Sequence, residues 1–289
     1  MNDNAAITAL FYEKLDNKAT KCGLCPHYCI IADGKTGLCG VRSNIDGELR
    51  ACSYGLVTSV ALDPIEKKPL YHFHPGKKIV SLGSYGCNLK CQFCQNYNIS
   101  MEYHNIKPEV MTPALAAEVA VLAVNDGNVG IAYTYNEPLI GYEFVKDCSL
   151  LIKKEGLLNV LVTNGYINNE PLKELLPSID AMNIDIKGYN NRTYNRLSGT
   201  LEPVENTIIT ASKSCHVEVT TLVIPGENEN EVEDIAKWLS TINPQIPYHL
   251  SRFFPRYKYS EGNPTPPELM HSLKEKAEKY LQYVHLGNM

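Results

Sequence analysis

Three cysteines fall within eight residues in the stretch YGCNLKCQFCQN, residues 85–96. Cys87, Cys91 and Cys94 are spaced C-x3-C-x2-C. Thiolates are soft ligands that select zinc, copper or iron–sulfur clusters. A structural zinc site closes four ligands, and this loop offers three. Three readings stand open. The loop is a zinc site whose fourth ligand comes from His72 or His74, or its cysteines hold no metal, or it carries a [4Fe-4S] cluster with one iron free of protein ligands. Tyr85, Gly86, Asn88, Phe93, Gln95 and Asn96 would suit a shaped cover over such a cluster.

A second group, Cys22, Cys25, Cys29 and Cys39, has the spacing C-x2-C-x3-C-x9-C. It sits in loop-rich text with Gly23, Pro26, Gly34, Gly37 and Gly40. Four thiolates close a tetrahedral shell, which fits structural zinc; they also fit an auxiliary iron–sulfur cluster or a single iron. Zinc is favoured, because a small glycine-rich module cannot hold itself by core burial and gains its order from the metal. Cys52, Cys148 and Cys215 complete the ten cysteines and read as plain core or surface thiols. A disulfide scaffold is the plain alternative for so many. The chain is too long to need one, and its opening text lacks the cationic start of an export signal. A cytoplasmic setting is the expectation. The formal net charge of -5 shows no basic footprint for nucleic acid. No apolar run approaches the roughly 20 residues of a membrane span.

The elements that must carry these ligands begin near Ile79. Six short apolar runs alternate with helical text: KIVSLGSYG, VGIAYTY, NVLVTNG, AMNIDIKG, HVEVTTLVI and YHLSRFF. Strands separated by helices imply right-handed parallel βαβ units. The helix candidate at 113–124 has Thr112 as its cap and Pro113 at its first position. Each strand ends in polar or glycine-containing text, as strands do when their carboxyl ends face one working mouth. The expected fold is therefore an incomplete, six-stranded parallel (β/α)6 barrel over residues 76–289. A smaller N-terminal extension with the four-cysteine module, residues 1–75, precedes it.

The three-cysteine loop after the first strand, with Phe93 before Cys94, resembles the radical S-adenosylmethionine (radical SAM) superfamily. Over a longer span, DPIEKKPLYHFHPG, GCNLKCQFCQNYNIS, AYTYNEP, VTNGY and NIDIKG together resemble the AmmeMemoRadiSam-system radical SAM enzymes, relatives of the pyruvate formate-lyase activating enzymes. That family often continues past the Gly-Asn at 287–288 into a cysteine-bearing tail, which this sequence does not contain. The resemblance implies a [4Fe-4S] cluster on Cys87, Cys91 and Cys94, whose free iron is chelated by the SAM amino and carboxylate groups. One-electron cleavage then gives a 5′-deoxyadenosyl radical that takes hydrogen from a substrate.

The resemblance also implies roles for other residues. Asn136, Glu137 and Pro138 would hold the SAM amino group. Thr163, Asn164 and Gly165 would meet SAM. Asp185 would hold a cation near the SAM carboxylate, and Lys187 would meet that carboxylate. Pro225 and Gly226 would lie near the adenine. His249 is a candidate site histidine. Each has a plainer reading: a helix-dipole acid for Glu137, a turn glycine for Gly165, a buried ion pair for Asp185 and Lys187, a core histidine for His249. Glu66, Lys67, Lys68 and His72 belong either to a solvated connector or to the mouth. The implied partners are an electron donor such as flavodoxin or ferredoxin and an unknown substrate. That substrate is a glycyl-radical enzyme, another protein or a small molecule. A non-catalytic electron-transfer or zinc-binding module is the reading from a different class.

Overall fold

A computed structural model describes residues 6–289. Its centre is an eight-stranded mixed sheet whose strands follow one another across it in chain order. They are β1 (Ser59–Pro64), β2 (Lys78–Gly83), β3 (Asn128–Thr134), β4 (Leu158–Thr163), β5 (Ala181–Asp185), β6 (His216–Val223), β7 (Tyr248–Arg252) and β8 (Val284–Gly287). β1 pairs antiparallel with β2, and every later neighbour pairs in parallel. The six expected strands are β2 to β7. The expected count of six is corrected by the two edges. β1 runs into Pro64 and then charged text, so it read as a connector. β8 is only four residues long, too short for a periodic signal. The arrangement fits an α/β partial barrel with β1 and β8 as its open edges.

Parallel strands covered on both faces run as near-continuous apolar text, and here alternate side chains serve two cores. Outward residues such as Val80, Leu82, Ile131, Leu161, Met182 and Val219 pack against the helices. Those helices are α1 (Pro113–Leu122), α2 (Tyr142–Lys154), α3 (Asn169–Leu175), α4 (Asn191–Arg196), α5 (Glu202–Ala211), α6 (Val232–Ile242) and α7 (Pro267–Ala277). The side chain of Thr112 caps α1 by accepting from Leu115 N at 3.1 Å. Gly130 marks a close approach, since a Cβ there would stand 1.9 Å from the Leu158 carbonyl oxygen of the neighbouring strand. Among the described residues no helix is long and apolar enough to cross a membrane.

Inward residues Ile79, Ala132, Val160 and Ala181 form a second core, closed by Ile65 and Leu70. Both of these are fully buried, each worth roughly 1.5–3 kcal/mol. They come from residues 65–77, which leave β1 and re-enter the barrel as a floor near the amino ends of its strands. The segment is thus more than a solvated connector: Ile65, Lys68 and Leu70 are buried, while Lys67, His72 and residues 74–77 are exposed.

The N-terminal residues form two small antiparallel sheets. Tyr12–Lys14, Thr20–Cys22 and Ile30–Ile31 make one, while Ile7–Thr8, Glu48–Ala51 and Arg42–Ile45 make the other. A buried ion pair docks this layer on α2. Arg42 Nη2 and Nη1 reach Glu143 Oε1 and Oε2 at 3.0 and 3.3 Å. The Leu10 backbone meets both partners, its carbonyl accepting from Arg42 and its N–H donating to Glu143.

Candidate active site

The loop bearing Cys87, Cys91 and Cys94 leaves the carboxyl end of β2 and ends in a single helical turn, Tyr97–Ser100. Gly86 turns it with φ +83; a Cβ there would stand 2.6 Å from the Cys39 carbonyl oxygen, so only glycine lets the loop lie on the N-terminal layer. Asn136, just past β3, staples the loop's start. Its Oδ1 accepts from Ser84 N at 2.9 Å, and its Nδ2 donates to the Tyr85 and Gly86 carbonyls at 3.0 and 3.2 Å. Asn96 ties the loop's end to the same place through the Tyr135 carbonyl, at 2.8 Å. The Tyr85 hydroxyl donates to the Cys52 carbonyl at 3.2 Å. After β7 the chain returns over the loop: Tyr257 stacks on Tyr97, Tyr259 meets Phe93 edge-on, and Lys258 N donates to the Gln92 carbonyl.

Burial pushes all three thiols up, Cys91 to about 12. Left alone they are neutral, and a bound cationic group is what would hold them as thiolates. Donors for sulfur are already present. Leu89 N stands 3.4 Å and Asn164 Nδ2 3.7 Å from Cys87 Sγ, and the Lys187 charge favours ionisation of Cys91 and Cys94.

The ends of β3, β4 and β5 bring the other expected residues to the same mouth. Glu137 is buried, and burial lifts its carboxyl to about 7 against hydrogen bonds from Asn164, Thr163 and Leu139. Its Oε1 accepts from Leu139 N and Thr163 Oγ1 at 2.9 and 2.7 Å, and its Oε2 from Asn164 N at 2.8 Å. The carboxyl therefore ties β3 to β4 and keeps one acceptor position on Oε2. Pro138 opens the 3-10 turn that follows. Asp185 and Lys187 form an ion pair at 3.1 Å. Burial works against the Lys187 charge, but Asp185 overcomes it and raises the lysine, an effect that an ionised Cys91 would strengthen. Gly226 turns at φ +81, with its N–H on Glu229.

His249 is placed differently. It is the second residue of β7, inside the barrel and away from the strand's carboxyl end, with Nε2 at 2.6 Å from Glu218 Oε2. A group that sequence reasoning passed over stands nearer the mouth. Tyr135, with φ +69, turns inward and sets its hydroxyl 2.5 Å from Asp63 Oδ2 and 3.4 Å from Lys68 Nζ. An aromatic residue in the left-handed region is strained by about 1–3 kcal/mol. The aromatic preceding YNEP was the available signal, but strain is invisible in sequence.

Cys22, Cys25, Cys29 and Cys39 line one cavity with His27 and Arg42. Burial raises Cys25 to about 12 and also raises Cys22 and Cys39. The Arg42 charge favours ionised Cys22 and Cys39, and its buried Nε has no partner. Asn88 stands between the two thiol groups. It touches Cys25, its Oδ1 accepts from Asn164 at 3.0 Å, and its carbonyl meets His27 Nε2 at 2.7 Å. As the side chains stand, no three His, Cys, Asp or Glu among the described residues converge as a single metal ion requires. The donors around Cys87, Cys91 and Cys94, three soft thiols with N–H groups and a lysine about them, fit a multi-iron cluster spanning the loop.

A family model for the radical SAM superfamily matches residues 82–239. The chain is 44% identical over 289 residues to an uncharacterised protein of Methanocaldococcus jannaschii, covering 97% of this chain and 85% of that one. It is 28% identical over 163 residues to the pyruvate formate-lyase 1-activating enzyme of Escherichia coli, covering 54% of this chain and 65% of that enzyme. Its fold is similar to that of SuiB from Streptococcus suis, with a TM-score of 0.54 at 11% identity over 71% of this chain and 47% of that one. The family model begins inside β2 and takes in the cysteine loop and the carboxyl ends of β2 to β6. The chain is an enzyme that belongs to the radical SAM superfamily and is related to the pyruvate formate-lyase activating enzymes.

Proposed function

We propose that this enzyme binds a [4Fe-4S] cluster through Cys87, Cys91 and Cys94, cleaves SAM reductively and abstracts hydrogen from a protein or small-molecule substrate. One observation carries the reading: three thiols, two buried and one half-buried, share one loop at the carboxyl end of β2, with the Lys187 charge acting on Cys91 and Cys94. When bound, the cluster would supply one-electron reduction of SAM to methionine and a 5′-deoxyadenosyl radical, with the electron coming from a flavodoxin- or ferredoxin-type donor. The chain's own residues bind, orient and exclude water. Asn136 and Asn96 fix the loop, while Glu137 fixes the ends of β3 and β4 and offers its remaining acceptor position to the SAM amino group. Lys187, held charged by Asp185, meets the SAM carboxylate, and Thr163 and Asn164 line that wall. Tyr257 and Tyr259 shield the outside of the loop.

Within this reading, activation of a partner enzyme by abstraction from a glycine is favoured by the likeness to the E. coli activating enzyme. The N-terminal thiols would hold a separate metal, zinc before iron. The test is anaerobic reconstitution followed by SAM and a reductant. The native chain should show a cluster whose EPR signal shifts on adding SAM and should release 5′-deoxyadenosine. With all three loop cysteines changed to alanine, a cluster that still responds to SAM would sink the proposal. Deuterium transfer from labelled candidate partners into 5′-deoxyadenosine would identify the substrate class.

A further inference from the structure

Four histidines gather away from the cysteine loop, and the reaction above uses none of them. His72 Nε2 and His285 Nε2 face each other at 2.8 Å. The His249 ring lies 5.2 Å from the His285 ring, centre to centre, and the His72 ring lies 5.0 Å from it on another side. His249 gives its Nε2 to Glu218, which leaves Nδ1 as its available lone pair. Glu218 is fully buried and also accepts from Tyr71 N, His72 N and His216 Nε2, at 3.0, 2.8 and 2.9 Å. A carboxylate that fixes one ring nitrogen so that the other can bind is the usual support behind a metal-ligating histidine.

We propose that His72, His285 and His249 form a binding site for a first-row divalent cation of the zinc type, closed by water at the remaining position. Neutral imidazole nitrogens suit that class of ion. His72 and His285 already share a point between their Nε2 atoms. No third ligand converges on that point as the side chains stand, so His249 is drawn in when the ion binds. The place gives the ion a purpose. His72 belongs to the floor segment that leaves edge strand β1, and His285 lies on the opposite edge strand, β8. An ion between them clasps the two edges of an open barrel across its seam.

The experiment uses the whole protein, reconstituted so that its thiol sites are filled, then titrated with cobalt(II). Native protein should take up one further equivalent, with a visible d–d band and no thiolate charge-transfer band. His72→Gln should lose that equivalent; His72 is exposed, so its replacement leaves the fold intact. His285→Gln should lose it as well. His216→Gln should keep it, because that ring touches Glu218 but is not a ligand. Zinc should displace the cobalt and raise the melting temperature of native protein but not of His72→Gln. If native protein takes up no extra cobalt, or His72→Gln takes up the same amount with the same band, the pair is a hydrogen bond and no metal site.

Discussion

Replacing Glu143 by Gln should loosen the N-terminal layer more than any single surface change. Arg42 and Glu143 have side chains only 2% and 3% exposed, and their bidentate contact crosses from the N-terminal sheet to α2. Glutamine keeps the size and an acceptor for Leu10 N, but it leaves the arginine charge buried without its partner. Removing one member of a buried pair costs about 3–5 kcal/mol, whereas replacing both by apolar residues of similar volume is often near neutral. Here the double change Arg42→Met with Glu143→Leu also strips both Leu10 backbone groups of their partners. Each orphaned group costs about 1–3 kcal/mol when buried; Leu10 is partly exposed, so the double variant should lose about 2 kcal/mol, less than Glu143→Gln alone. Urea unfolding gives the totals, and limited proteolysis before residue 56 reports undocking. The reasoning fails if Glu143→Gln costs under about 1 kcal/mol, or if the double variant costs as much as its two single changes added together.

Glu137→Ala should weaken SAM binding while the cluster is retained; isothermal titration with unchanged SAM affinity would reduce Glu137 to a tie between strands. Asn136→Ala frees two loop carbonyls and Ser84 N, so the cluster should form but be lost faster to a chelator, as iron release over time would show. Changing Cys22 and Cys25 together to alanine should release the N-terminal metal, read by elemental analysis, while the loop variant lacking Cys87, Cys91 and Cys94 keeps about one equivalent; loss from both would mean the four cysteines are no separate site. Burial would raise the Asp63 carboxyl, but hydrogen bonds from Lys68 and Tyr135 hold it well below its usual 3.8. A depressed carboxyl contributes stability above its unfolded value that is lost as pH falls below it. Urea midpoints should therefore drop below about pH 4, and Asp63→Asn should flatten that fall; an equally steep fall in the variant would assign it to other carboxylates.

The six inner strands were legible because parallel strands buried on both faces leave unbroken apolar text, and their polar ends marked one mouth. The cysteine loop was legible because ligand spacing is local. What joins distant segments was not. Arg42 sits in polar text and reads as exposed, yet its partner lies 101 positions on. Glu137 was recognisable by its place after a strand, but its donors follow from the register that sets Tyr133 beside Leu161, which one sequence does not carry. His249 looked like a mouth residue because its strand end does face the mouth. Its own position, second in β7, sets it deeper, against a glutamate in the middle of the neighbouring run. Residues 65–77 misled for the opposite reason: their charges and prolines resemble solvated text, while Ile65 and Leu70 bury completely and Lys68 finds Asp63.

The floor segment also fixes when the molecule can be finished. Tyr71 waits 147 residues for Glu218, and His72 waits 213 for His285. On a ribosome, Ile65 and Leu70 emerge before Ala132, Val160 and Ala181, which cover them, so the nascent chain carries an incompletely covered apolar segment until β5 has been made. Contacts of such separation form slowly, and partly built sheets with open edges invite association. A chain released before residue 284 would have its cysteine loop and inner core complete but would lack edge strand β8 and the His285 partner of His72. A product ending before residue 284, with the edge of β7 left open, should therefore aggregate more readily than one that includes β8.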